Sequence, residues 1–181
     1  EYPLYQILEE LRRDHPELKV VPVIADIKDQ RRLFDVFARH SPEIVFHAFS
    51  DPISRRRWFV EGEGFIVDSH KLDFRVNGSE TSAFRVSTPE FQSEEIRNNT
   101  VFLDIVPDQR IVSAYSMSNL GVPFSASLQT ITFEPVPGGT RLTLVEQVTF
   151  LEGADGLEMR RQGTEQLLES LAKELQTSAI P

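Results

Sequence analysis

The chain has 181 residues, 40% of them hydrophobic and 26% charged, which fits one globular domain, or one domain with an appendage, able to bury a sizeable core. A formal net charge of −9 argues against a nucleic-acid or anionic-membrane role, and the one basic run, Arg55, Arg56 and Arg57, is too short to reverse that. With no cysteine there can be no disulfide, thiolate nucleophile or Cys-ligated zinc; with no membrane-length apolar run and an acidic start, a cytoplasmic location is the expectation.

Residues 3–14, "PLYQILEELRRD", read as a helix, with Leu4, Ile7, Leu8 and Leu11 on one stripe. "KVVPVIADI" is a candidate buried strand despite Pro22. "DQRRLFDVFARH" returns to helical spacing through Leu33, Phe34 and Phe37, with Asp29 as cap. "SPEIVFHAF" can be read two ways. Ser41 can cap a helix and Pro42 suits its first position, which would set Ile44, Val45, Ala48 and Phe49 on one face; the β-branched pair Ile44 and Val45 favours a strand.

After Gly62 the periodicity changes from helical to two-residue. Six runs, "FIVDSHKLDFRV", "ETSAFRVS", "IRNNTVFLDIV", "RIVSAYSMS", "VPFSASLQTITFEPV" and "TRLTLVEQVTFL", are separated mostly by tight turns such as "NGS", "PDQ" and "PGG". Short connections make them antiparallel neighbours. A long helix follows, capped by Asp155, with Leu157, Thr164, Leu167, Leu168, Leu171 and Leu175 as its apolar stripe. One long helix after a curved antiparallel sheet must bury its stripe on that sheet, which predicts an α+β fold and a cavity between the two.

The motifs "VFHAFSDPISRRRWF", "LDFRVNGSE", "LDIVPDQRIVSAYSM", "SLQTITFEPVPGGTRLTLVEQVTFL" and "RRQGTEQLLESL" resemble those of the bacterial homologues of the activator of heat-shock protein 90 ATPase, in the START-like, SRPBCC superfamily. The resemblance covers about residues 45–175 and implies the helix-grip fold. In that family "SPEIVFHAFS" and "DPISRRRWF" are two short helices, and that resolves the ambiguity in favour of helix. Residues 1–48 resemble instead a piece of the sugar-nucleotide dehydratase and epimerase family of polysaccharide biosynthesis, where the same segment lies in a Rossmann sheet. The expected organisation is therefore a Rossmann-like fragment as an appendage over residues 1–40 and a helix-grip domain over residues 41–181.

The dehydratase chemistry finds no machinery here. There is no GxGxxG turn, and none of Tyr2, Tyr5 and Tyr115 has a lysine four residues away; Asp26 alone matches an acidic position of that family. Asp68, Ser69 and His70 adjoin in "VDSH", but neighbours on a strand point to opposite faces, so they are no triad. His15, His40, His47 and His70 lack metal-ligand spacing, and neither metal nor cofactor is expected.

Glu146 is the informative carboxylate. It shares a strand face with Leu142, Leu144, Val148 and Phe150, where an isolated charge is costly. It either lines a cavity and meets a ligand, or pairs with Arg75 or another buried donor. Trp58 is a core anchor, a cavity wall, or both. Gly163 interrupts the long helix; the resemblance at "RRQG" implies close approach to the sheet or room over a cavity, and simple helix packing is the alternative. Arg55, Arg56 and Arg57 read as a solvated helix face. The candidate ligand-binding set is Trp58, Phe74, Arg75, Tyr115, Met117, Gln129, Phe133, Glu146 and Gly163. The expected function is binding of a small hydrophobic molecule, or a stress-related accessory role, by a monomer or homodimer without evident catalytic residues. The alternatives are a START-like cyclase or hydrolase using Glu146, and a docking role for the amino-terminal stripe.

Overall fold

The computed structural model describes residues 25–26, 40–62, 64–87, 93–152 and 156–178. The helix expected over 3–14, that over 28–40 apart from its last residue His40, which is not helical, and the caps assigned to Asp29 and Asp155 lie outside them. Of the expected strand at 19–27, the described part is β1, Ala25–Asp26.

Two short helices come next, α1 (Pro42–Ser50) and α2 (Pro52–Phe59). Each has proline in its first turn, where the missing N–H costs no hydrogen bond. Asp51 serves both: its N–H donates to the His47 carbonyl and closes α1, and its carboxylate accepts from the Ser54 N–H at 2.7 Å and opens α2. "SPEIVFHAF" is thus helical. Its buried face is Val45, Phe46, Ala48 and Phe49; Ile44, expected inside, is 46% exposed, and Phe46 takes its place.

The sheet strands are β2 (Phe65–Leu72), β3 (Ser79–Val86), β4 (Ile96–Val106), β5 (Arg110–Asn119), β6 (Val122–Val136) and β7 (Gly139–Phe150). They pair in sequence order, each antiparallel to the next, and β1 adds to the free edge of β7 with Ala25 opposite Glu146. β2 ends at Leu72, so Phe74 and Arg75, expected on that strand, belong to the connection to β3. Register shifts at Val67/Ser69, Phe102/Asp104 and Met117/Ser118 mark bulges, which bend strands and increase their twist. The long helix α3 (Gly156–Ser178) lies in the resulting cup.

Leu168, Leu171 and Leu175 of α3 pack with Phe46, Phe49 and Trp58 and with Phe102, Ile111, Ile131, Phe133 and Leu142 of the sheet. The Trp58 indole N–H donates to the Ala48 carbonyl at 2.7 Å, tying α2 to α1. Glu174 joins α3 to α2 by accepting from Ser54 Oγ at 2.9 Å and from the Arg57 guanidinium. This layered arrangement is the α+β architecture expected: a six-strand antiparallel meander covered by one long helix, with the short β1 added at its edge. Among the described residues no helix is long and apolar enough to cross a membrane.

Candidate functional site: a cavity between the sheet and the long helix

The register aligns the inner-face residues in rows. Thr100 stands opposite Tyr115, and Tyr115 opposite Ser127; Phe102 stands opposite Ser113, Ser113 opposite Gln129, and Gln129 opposite Glu146. One step further along the sheet come Ile111, Ile131 and Leu144, then Phe133 and Leu142. The inner face is therefore polar toward the first half of α3 and apolar toward α1 and α2. Over this boundary the sheet and α3 enclose a cavity of about 270 Å³. Its apolar wall includes Phe49, Trp58, Phe59, Phe102 and Ile111, and its polar wall includes Asn98, Thr100, Ser113 and Gln129, with Arg55 and Arg160 also lining it.

Gly163 decides between its readings here. A Cβ built on it would meet no heavy atom within 4 Å, so the glycine leaves room over the cavity rather than permitting a close approach to the sheet.

Two buried ion pairs flank the space. In one, Arg160 of α3 reaches Glu146 Oε1 at 3.2 Å, with side chains 9% and 4% exposed. The Tyr115 hydroxyl and Ser127 Oγ donate to the same carboxylate oxygen at 2.6 and 2.7 Å, and Arg160 also donates to Ser125 Oγ at 2.8 Å. Burial, then the charge of the adjacent Glu146 carboxylate, pushes the Tyr115 phenol well above its ordinary range and keeps it a hydrogen-bond donor. In the other pair, Arg55 of α2 grips Glu80 of β3 bidentately at 2.8 and 2.7 Å, and His70 Nε2 lies 2.9 Å from Glu80 Oε1. Burial by itself would raise the Glu80 pKa, but the Arg55 charge and the hydrogen bonds from Arg55 and His70 outweigh it and hold the carboxyl at about 2. The Arg55 guanidinium carbon also sits 3.7 Å from the Phe59 ring centre and 4.4 Å from that of Trp58, a stacking that an ammonium group could not reproduce.

Of the expected site residues, Trp58, Phe74, Tyr115, Met117, Gln129 and Gly163 line the cavity. Glu146 stands behind it, bonded to two lining residues, Tyr115 and Arg160. Phe133 is a core residue beneath Phe46 and Phe49, with ring centres 5.7 and 5.4 Å away. Arg75 is corrected outright: it is 71% exposed, pairs with Asp73 in the β2–β3 connection, and is no partner of Glu146. Arg55, Arg57, Glu80, Asn98 and Arg160 were not anticipated. Arg55 departs from the reading of its run as a solvated face, being 11% exposed and paired with the buried Glu80; Arg56 and Arg57 remain 43% and 50% exposed, although Arg57 also meets the buried Glu174. Arg160 was detectable: with Thr164, Leu168, Leu171 and Leu175 it falls on the inner stripe of α3, where Leu157 was expected and is in fact 44% exposed. Asp68 pairs with Arg85, while the His70 side chain is buried against Glu80, so Asp68, Ser69 and His70 form no constellation. Among the described residues no group of three or more His, Cys, Asp or Glu side chains could hold a metal ion.

A meander bent around one long helix over a cavity defines a class of α+β proteins. The profile of the Activator of Hsp90 ATPase homolog 1-like protein family matches residues 39–176, and the chain belongs to that family. Among solved structures it resembles the Mll3558 protein of Rhizobium loti, at 46% identity over 76% of this chain and 90% of that one (TM-score 0.65). It also resembles a protein from Rhizobium leguminosarum, at 35% identity over 78% and 90% (TM-score 0.70). The AHSA1-like protein from Aeromonas hydrophila, 16% identical over 87% of this chain and 92% of that one, shares the fold (TM-score 0.53). Residues 1–50 separately match the profile of a Polysaccharide biosynthesis protein family. A comparison with curated proteins returns no match.

Proposed function

We propose that this protein binds a small, largely apolar molecule in the cavity between the sheet and α3. The observation that carries the reading is the space itself, about 270 Å³, walled by Phe49, Trp58, Phe59 and Phe102 and left open above by Gly163. Its size, near the lower end of ligand sites, suits a molecule of one or two rings. The binding reading is favoured over an enzyme that uses Glu146 as a base. That carboxylate does not line the cavity but stands behind Tyr115 and Arg160, with Oε1 accepting from Tyr115, Ser127 and Arg160, and a base must be within hydrogen-bond reach of the proton it takes. Residues 1–40 are, on this reading, an appendage, and the Rossmann origin inferred for them rests on sequence likeness alone. The deciding experiment is titration of the purified protein and of Gly163→Phe with methylnaphthalene, followed by calorimetry. Binding to the wild type that disappears in a folded Gly163→Phe variant supports the cavity. Equal binding by both proteins, or none by either, refutes it.

A further inference from the structure

The cavity has two arginines in its wall, and an arginine in an apolar pocket ordinarily suggests a carboxylate or phosphate ligand. The ion pairs described above point the other way. Arg55 gives Nε and Nη2 to the two oxygens of Glu80, and Arg160 is tied to Glu146, Tyr115 and Ser125. Each guanidinium thus already has a buried carboxylate, and the formal charges of these four side chains cancel. An anion entering the cavity would have to compete with two glutamates that are 1% and 4% exposed, and a cation would find both carboxylates engaged. Either ion would give up its hydration without a free counter-charge, which weakens its binding relative to a neutral molecule.

What the wall leaves unused is neutral. Gln129 and Ser113, opposite each other across β5 and β6, make no side-chain hydrogen bond to any described residue. Asn98 uses its carbonyl end to accept from Thr100 Oγ1 at 2.9 Å and has no further partner among the described residues. Amides and hydroxyls both donate and accept, so they can match an alcohol, carbonyl or amide equally well. Ser113 and Gln129 stand side by side on the sheet, next to the aromatic wall supplied by α1, α2 and Phe102, whereas Asn98, opposite Met117, lies two inner-face rows away beyond Thr100 and Tyr115.

We propose that the ligand is an uncharged amphipathic molecule, with its hydrocarbon body against Trp58, Phe59 and Phe102 and a single neutral hydrogen-bonding group on the pair Ser113 and Gln129. This deepens the cavity reading and rests on it. It assigns the two ion pairs a selective role: they exclude ions from a site that would otherwise attract them.

The test is a set of probes with one skeleton and different heads, naphthylmethanol, methylnaphthalene, naphthoate and naphthylmethylammonium, titrated calorimetrically into the full chain at neutral pH. The alcohol should bind tightest, at least roughly tenfold tighter than either ion, as uncompensated ion burial requires. Gln129→Leu should weaken the alcohol about fivefold, the value of one buried hydrogen bond, while methylnaphthalene binds at least as tightly because the new side chain is apolar. Retained hydrocarbon binding also verifies that the variant keeps its fold. Naphthoate or the ammonium probe binding as tightly as the alcohol overturns the proposal while the cavity reading stands. So does a pair of variants, Gln129→Leu and Ser113→Ala, that both preserve the alcohol's advantage over the hydrocarbon. If no probe binds the wild type, the cavity reading falls and this inference with it.

Discussion

The pair of Glu146 and Arg160 can be perturbed one charge at a time. Glu146→Gln keeps the size of the side chain and an oxygen that can still accept from Tyr115 and Ser127, but it leaves the Arg160 guanidinium, 9% exposed, without its carboxylate. Removing one partner of a buried pair costs about 3–5 kcal/mol, and the surviving hydroxyl contacts set the expectation at the lower end, about 3 kcal/mol. In a chain of this length that corresponds to a melting temperature lower by roughly 6–12 °C. Arg160→Met removes the charge and keeps the packing volume. Its cost should be smaller, roughly 2 kcal/mol, because Tyr115 and Ser127 still donate to the orphaned carboxylate. The double variant carries neither charge and should lose less than the two singles added together, with a coupling of about 2 kcal/mol or more. Urea unfolding of the four proteins, with a common slope, measures the cycle. A Glu146→Gln loss below about 1 kcal/mol, or singles that simply add, would show that the pair is solvent-screened and would remove the argument that cavity charges are already spent.

Three further outcomes are expected. Gly163→Ala should stabilise the protein by roughly 0.5–1 kcal/mol in chemical denaturation, because the helix gains propensity and the new methyl meets no heavy atom within 4 Å. Leu120, exposed at the β5–β6 turn with a φ of 48°, is a side chain in the left-handed region; Leu120→Asn should raise the melting temperature, by about 1 kcal/mol in stability. For Glu80 the folded-state pKa of about 2 lies below the ordinary 4.5, so its contribution is fully present above pH 4.5 and is lost as pH falls from there toward 2. The difference amounts to about 3 kcal/mol, and the stability gap between wild type and Glu80→Gln, measured by urea midpoints, should narrow over that same window. A gap independent of pH would show that Glu80 is not held as an anion by Arg55.

What could be read from the chain follows from which signals are local. Strand alternation was legible because most strands of the meander bury one face, so "TRLTLVEQVTF" announced both its pairing face and the anomaly of Glu146 on it. The boundary between α1 and α2 was legible through "SDP", since Asp51 acts on its immediate neighbours. The partner of Glu146 was not, because the choice between Arg75 and Arg160 depends on how α3 docks on β6 and β7, a contact no spacing encodes. Yet Arg160 carried the same kind of signal as Glu146: a charge on a stripe that is otherwise apolar. Leu157 shares the angle of that stripe, but it sits in the first turn of α3 and is 44% exposed, so the stripe's buried part begins at Arg160.

Arg55 illustrates the opposite failure. The hydrophobicity of an eight-residue helix with three arginines says little about its faces, and an arginine can bury its stem and stack its head on aromatic rings while its charge is met by a carboxylate from another element. Buried charges placed singly in a sequence are therefore best read as halves of pairs. Here Glu146 on β7 and Arg160 on α3 belong to different layers of the fold, as do Glu80 on β3 and Arg55 on α2. Each pair bridges the sheet to a helix at the edge of a space that apolar packing leaves unfilled. A hydrophobic substitute could close such a seam with equal stability, but it could not set a cavity wall whose charges are cancelled in place and whose remaining polar groups are neutral amides and hydroxyls.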